Sequence, residues 1–291
     1  MISKQARLIA KIMSIIGLKH IISKMMLNPK RNNKSQLPPK SILRKYNTKS
    51  FSINNRNCFS FRSIENPKKH IFYFHGGAYT LQANIMHWRI IEHILKKIQC
   101  KITFVDYPLV PEYTCIDALN MVMNAYLDLC NSGQQEIVLM GDSAGGGLAL
   151  SLAQKIKANN IKPKPSKIIL LSPWLDVSME NEISEDQAAR DLILNKSTLK
   201  IIGKKYAGEL NTKSYLCSPL YGNTVDIGEI ALFTGTSEIL NAEAKKLKKK
   251  VLKSNSDLVY HEYKDMQHVW VGFPIPEAKD AMEEVYAFIK K

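Results

Sequence analysis

What this sequence lacks narrows the options first. Its five cysteines (Cys58, Cys100, Cys115, Cys130 and Cys217) are odd in number and include no Cys-x-x-Cys pair. Neither a zinc ribbon nor a disulfide framework is expected, and reduced thiols in a cytoplasmic protein fit best. No stretch approaches the roughly 18 uncharged apolar residues of a spanning helix. Lysine or arginine at positions 4, 7, 11, 19 and 24 interrupts the most apolar candidate, "MISKQARLIAKIMSIIGLKHIISKMM", which also lacks the small-residue cleavage site of a secretory signal. Acidic residues are scarce, 26 against 41 Lys and Arg, for a net charge of +15. Such a balance raises nucleic acid or an anionic membrane as a partner. The densest basic run, residues 242–253, has no aromatic side chains interleaved as base-stacking platforms. Leu247 and Val251 stand four apart in it, so it reads as a helix with one buried edge and a solvated basic face. No nucleic-acid partner is expected.

A chain of 291 residues with 45% hydrophobic content can bury one large core. Strand and helix patterns alternate along it, which predicts an α/β fold with a mostly parallel sheet. The parallel strand candidates are 70–77, 101–107, 136–142, 167–174, 229–236 and 258–265. Residues 49–63 read as an edge hairpin turning at Asn54, Asn55, Arg56 and Asn57. Residues 2–26 repeat apolar residues near helical spacing and read as one amphipathic helix. Residues 177–217 are too long for a simple crossover and read as a charged loop followed by a helical insertion. The chain is therefore expected to form a single domain, 1–291, with cap elements at 1–45 and 177–217.

The most informative stretch is "EIVLMGDSAGGGLALSLAQKI", residues 136–156. A short apolar run precedes Gly-Asp-Ser-Ala-Gly, and Leu148, Leu152 and Ile156 then recur at helical spacing. Ser143 therefore sits on a strand-to-helix turn so sharp that the positions two before and two after it, Gly141 and Gly145, must be nearly free of side chain. Such an elbow lifts the hydroxyl above the sheet while the helix N-terminus turns backbone N–H groups toward the same space.

A serine nucleophile needs a base, an orienting acid and donors for an oxyanion. In an open α/β sheet these come from loops at the carboxyl ends of strands. His268 follows the last strand candidate and Glu238 the one before it, giving the order nucleophile, acid, base. Asp265, three residues before His268, is the second candidate acid. The Gly-Gly of "FHGGAYT" supplies Gly76 and Gly77 as oxyanion donors with the N–H of Ala144, and His75 holds that loop. The histidines are scattered, so neither a metal nor a nucleotide cofactor has an obvious seat.

Taken together, His75-Gly76-Gly77, "DYPLVPEY" at 106–113, "GDSAGG" at 141–146, "SPW" at 172–174 and His268 resemble the hormone-sensitive-lipase-like branch of α/β-hydrolase esterases, over roughly residues 45 to 290. The resemblance implies an eight-stranded hydrolase sheet with a helical cap, no cofactor, and hydrolysis of carboxylic esters through an acyl-enzyme. It gives Asp142 the task of fixing the elbow and Pro111-Glu112 that of supporting the site from behind. Three departures stand out. Ala78 replaces the family's usual third glycine, Tyr107-Pro108-Leu109-Val110 lacks the usual arginine, and Glu238 stands where an aspartate is usual.

The expected partner is a small ester with a short to medium acyl chain. Leu8, Ile12 and Ile15 together with Leu192, Leu199 and Ile202 are expected to form the dry wall of its pocket. The same parts would serve an amidase, a formamidase or a peptidase-type acyl hydrolase, and a non-catalytic ligand-binding module on this fold is the remaining alternative. A weak membrane-surface contact through the N-terminal helix and a homodimer complete the expectations.

Overall fold

The computed structural model describes residues 2–32, 37–131, 133, 136–254 and 256–291. Eight strands form one sheet: β1 (Asn47–Ile53), β2 (Arg56–Arg62), β3 (Lys69–Phe74), β4 (Cys100–Val105), β5 (Glu136–Asp142), β6 (Lys167–Leu171), β7 (Glu229–Gly235) and β8 (Leu258–Tyr263), in the spatial order β1-β2-β4-β3-β5-β6-β7-β8. The β1–β2 and β2–β4 pairs are antiparallel and all the others parallel. Ten α-helices accompany them among the described residues: α1 (Lys4–Ile15), α2 (Leu18–Leu27), α3 (Lys40–Lys45), α4 (Ile85–Lys97), α5 (Cys115–Asn131), α6 (Ala144–Ala158), α7 (Glu185–Arg190), α8 (Lys196–Ala207), α9 (Asn241–Lys253) and α10 (Pro276–Lys290).

The central strands are apolar on both faces because helices cover both. Phe72, Phe74, Ile137 and Leu139 point into a core shared with α5, α6, α8 and α9. Their neighbours Ile71, Tyr73, Val138 and Met140 point the other way, into a core shared with α4 and α10. The basic helix α9 buries Ala244, Leu247 and Val251, as its spacing predicts, and exposes Lys245, Lys246, Lys249 and Lys253, while Lys250 is partly buried on the Leu220 carbonyl.

The structure corrects three details of the sequence reading. The hairpin turns on Asn54 and Asn55 alone, both with positive φ, while Arg56 and Asn57 already belong to β2. Asparagine tolerates the left-handed conformation that a two-residue hairpin turn requires. Residues 2–26 form two helices and not one, broken at Gly17, whose φ of +62° opens α2. Lastly, α1 turns Ala6 and Met13 inward, and Leu8, Ile12 and Ile15 face outward, with Ile15 72% exposed. They form no part of a pocket wall.

The N-terminal helices are fastened at both ends. Ser3, the N-cap of α1, bonds through its N–H and hydroxyl to Glu277 at the start of α10. Arg31, just past α2, donates to the carbonyls of Thr80 and Val110 and pairs with Glu112. Between these points Thr80 Oγ1 donates to the Met26 carbonyl.

Candidate active site

The elbow at the end of β5 has the geometry its glycines demand. Ser143 sits at φ +52°, ψ −122°, a conformation outside the usual regions for a residue with a side chain. Its N–H donates to the Leu171 carbonyl and its own carbonyl accepts from the Trp174 N–H, so the end of β6 and the Ser-Pro-Trp segment clamp the strained residue. A Cβ at Gly145 would run into the Phe74 carbonyl oxygen, and one at Gly141 into the Gly145 backbone. Only glycine lets β5, α6 and the end of β3 approach this closely.

Three side chains from three loops then converge. Ser143 Oγ lies 2.8 Å from His268 Nε2, and His268 Nδ1 lies 2.6 Å from Glu238 Oε2. The carboxylate accepts the Nδ1 proton, so the neutral ring presents its Nε2 lone pair to the serine hydroxyl, which donates to it. Glu238 is fully buried, and its other oxygen accepts from Thr234 Oγ1 and the Gly235 N–H, each at 2.8 Å. The His268 loop is fastened in turn by the Val269 N–H to Ser172 Oγ. Asp265 stands outside this group, and its N–H donates to Thr236 Oγ1.

The loop after β3 closes the far side. A Cβ at Gly76 would collide with the Asp142 carboxylate and lie 3.1 Å from Ser143 Cβ, so the backbone of this loop touches the elbow. Among the described residues the N–H groups of Gly76, Gly77 and Ala144 make no hydrogen bond. Three unpaired donors beside a serine hydroxyl are what a developing oxyanion needs.

His75 is fully buried between the rings of Tyr107 and Phe104, at 4.5 and 5.6 Å. Its Nδ1 lies 2.6 Å from the Gly76 carbonyl, and Tyr107 Oη donates to the His75 carbonyl. Burial, with His87 nearby, lowers the His75 pKa to about 3, so the ring is neutral and Nδ1–H donates.

Asp142 accepts from Tyr73 Oη and faces His87 Nε2 at 3.4 Å. Burial pushes its pKa up, but His87 and Tyr73 outweigh that and hold it below the usual carboxylate value. His87 Nδ1 accepts the Asn84 N–H in the capping box of α4, which leaves Nε2–H to face Asp142. Glu112, half-exposed, pairs with Arg31 and not with the elbow; this ion pair holds its carboxyl below the usual range.

Ser143 and His268 open onto a cavity of about 250 Å³. Its apolar wall comes from Met13, Leu18, Ile22 and Met26 of the N-terminal helices and from Ile193 and Leu194 ahead of α8. Leu199 and Ile202, expected in this wall, are buried in the core, because α8 packs on α2 and α5. A roomier groove of about 680 Å³ between α4 and α10 has no serine, threonine or cysteine in its lining. Among the described residues no three His, Cys, Asp or Glu side chains gather as a metal-ligand set, and no helix is long and apolar enough to cross a membrane.

Sequence reasoning missed the residues that tie the insertion to the site. Asp191 accepts the N–H groups of Ile193 and Leu194 on one oxygen and that of Ile239, next to Glu238, on the other. Burial raises its pKa while those N–H groups oppose the shift. Gln187 donates to the Glu238 carbonyl. Gln267, next to His268, accepts the Leu192 N–H and donates to the Arg190 carbonyl. The capping residue ahead of α8 is Asn195, so no capping signal points to Asp191 or to its partner 48 residues away.

The elbow, the sheet order and the loop glycines define an α/β hydrolase. The family model for the alpha/beta hydrolase fold matches residues 71–272, and the chain belongs to that family. An acetyl-hydrolase of Streptomyces hygroscopicus is 26% identical over 224 residues, 76% of this chain and 75% of that one. A Staphylococcus aureus protein solved as a candidate esterase superposes with a TM-score of 0.83 at 26% identity, covering 94% of this chain and 90% of its own. An esterase of the bacterial hormone-sensitive lipase family superposes at 0.78 with 25% identity, covering 93% and 89%.

Proposed function

We propose that this protein is a serine carboxylesterase acting on small esters of short to medium acyl chain, with Ser143 as nucleophile, His268 as base and acid, and Glu238 as the group that orients the ring. The observation that carries this reading is the continuous hydrogen-bonded row Ser143–His268–Glu238 at the floor of an apolar cavity. The names of the relatives, esterase and acetyl-hydrolase, agree with it.

His268 Nε2 takes the Ser143 proton as Oγ attacks the ester carbonyl, and the N–H groups of Gly76, Gly77 and Ala144 receive the oxyanion. The imidazolium then protonates the leaving alcohol. Water repeats both steps on the acyl-enzyme, with His268 again moving the proton, and the free acid leaves. Glu238 stays ionised and stabilises the imidazolium. Residues 1–45 and 177–217 act as the cap. At about 250 Å³ the cavity falls below the roughly 300–1,000 Å³ of drug-sized sites, which supports a small substrate.

A panel of p-nitrophenyl esters of increasing chain length beside p-nitroanilides tests the reading. Acetate to butyrate esters are expected to turn over at least about tenfold faster than long-chain esters, and anilides far more slowly than either. Faster anilide cleavage, or no ester turnover by folded protein, overturns it.

A further inference from the structure

The positive charge of this chain is not spread over it. Residues 1–64 contain fourteen Lys and Arg and no Asp or Glu; the remaining residues hold 27 Lys and Arg against 26 Asp and Glu. All but one unit of the net +15 therefore sits in the N-terminal segment. Charge asymmetry on this scale marks a surface for a polyanionic partner.

Large apolar side chains are exposed in the same place. Leu8, Ile12, Ile15 and Ile16 at α1 are 48–72% exposed, and Ile21 and Met25 of α2 are 44% and 52% exposed. The spacing 8, 12, 15 places three of them on one helical face. Lys4, Arg7, Lys11 and Lys24 border this outer face with no ion-pair partner among the described residues. The opposite side of the same two helices, through Met13, Leu18, Ile22 and Met26, lines the Ser143 cavity.

We infer that the outer face of α1 and α2 docks on an anionic lipid surface, with Leu8, Ile12, Ile15 and Ile16 in the acyl boundary and the basic residues among the headgroups. An aliphatic patch bordered by cations is the composition of an in-plane interfacial helix. A second copy of the chain fits less well. A two-fold interface would set this face against itself, cation against cation, with no acidic residue in the segment to pair them. Nucleic acid fits less well too, since the first aromatic residue of the chain is Tyr46 and the patch offers no stacking platform. Docking this way places the wall of the cavity directly under the lipid boundary. The inference does not depend on the ester reading, because it rests on the opposite face of the helices.

The test is cosedimentation of the full chain with vesicles of phosphatidylcholine containing phosphatidylglycerol, against vesicles of phosphatidylcholine alone. The anionic vesicles are expected to bind at least about tenfold more tightly, since each basic residue near such a surface contributes roughly a fivefold factor. Leu8→Ser/Ile12→Ser/Ile15→Ser is expected to weaken binding by about tenfold or more. Arg7→Gln/Lys11→Gln/Lys24→Gln should erase most of the preference for anionic vesicles. Both variants should melt as the parent does and keep its turnover of p-nitrophenyl acetate. Ser143→Ala, inactive under the ester reading, should bind as the parent does, which separates docking from catalysis. Absence of vesicle binding by the parent, or equal binding by the apolar triple variant, overturns the inference. So does a dimer that the triple variant disperses without any effect of vesicles.

Discussion

Glu238 reaches His268 from 30 residues away at 2.6 Å, while Asp265, only three residues from the histidine, stays outside the row. The longer side chain of glutamate folds back on the end of β7, where Thr234 and Gly235 grip its second oxygen. Three substitutions separate the two acids. Glu238→Gln should lower kcat by about 10³ to 10⁴, since the ring then loses its orienting charge. Glu238→Asp, too short to hold the histidine and the turn together, should cost about tenfold to a hundredfold. Asp265→Asn should stay within about twofold of the parent. Steady-state kinetics on p-nitrophenyl acetate checks all three, and a severe Asp265→Asn loss would reverse the assignment.

Ser143→Ala should reduce turnover by about a millionfold, to the residue left by the oxyanion donors. The fold should survive, since no other group depends on Oγ except the His268 ring. Activity assays paired with thermal melts decide this.

Ala78, in place of the family's third glycine, sits at φ +53°. A left-handed alanine costs roughly 1–2 kcal/mol, part of which glycine gives back through its freer unfolded chain. Ala78→Gly should therefore leave stability unchanged or raise it by up to about 1 kcal/mol, as read by urea denaturation. A clear loss of stability would show that the Ala78 methyl packs better than its backbone is strained.

His75 makes stability depend on pH with a definite sign. Its pKa falls from the ordinary 6.5 to about 3 on folding, because the buried ring resists charge. Between those values only the unfolded chain binds the proton, so stability falls as pH falls through that window and is fully present above it. One such group contributes a slope of about 1.4 kcal/mol per pH unit. His75→Phe, which keeps the stack on Tyr107 and Phe104, should show a shallower slope by that amount between pH 6 and pH 4 in denaturant titrations. Parallel slopes would remove His75 from the account.

Asp191 joins the insertion to the Glu238 loop through three backbone N–H groups. Asp191→Asn turns one acceptor into a donor facing an N–H, so it should cost about 1–3 kcal/mol of stability. It should also lower kcat/KM by about tenfold, by loosening Ile193 and Leu194 in the cavity wall. Equal kcat/KM in the variant would confine Asp191 to stability alone.

The elbow was legible because its signature is local: Gly141 and Gly145 flank Ser143 in one five-residue pattern, although the contact that forbids a side chain at Gly145 is the Phe74 carbonyl on another strand. His268 and Glu238 were legible through topology, since each follows a strand whose carboxyl end faces Ser143. The pocket wall was misread because α1 carries two apolar stripes. Periodicity finds both Ala6–Met13 and Leu8–Ile12–Ile15 but cannot say which one meets the protein. Gly17, read as part of a continuous helix, further altered the phase of everything after it. Gln187, Gln267 and Tyr73 form no local pattern at all, and the local bonds of Asp191 to Ile193 and Leu194 and of His87 to Asn84 give no hint of Ile239 or Asp142. Their partners lie across the fold, and only packing brings them together.

Ser3 on Glu277 and Arg31 on Glu112 fasten the two N-terminal helices at both ends. A span buckled at each end is a strap and not a flap. It cannot swing clear of the cavity. It can only flex in place, and Gly17, between the two helices, is its natural crease. A cut anywhere along the strap would leave both halves still tied down, one by Ser3 on Glu277 and the other by Arg31 on Glu112.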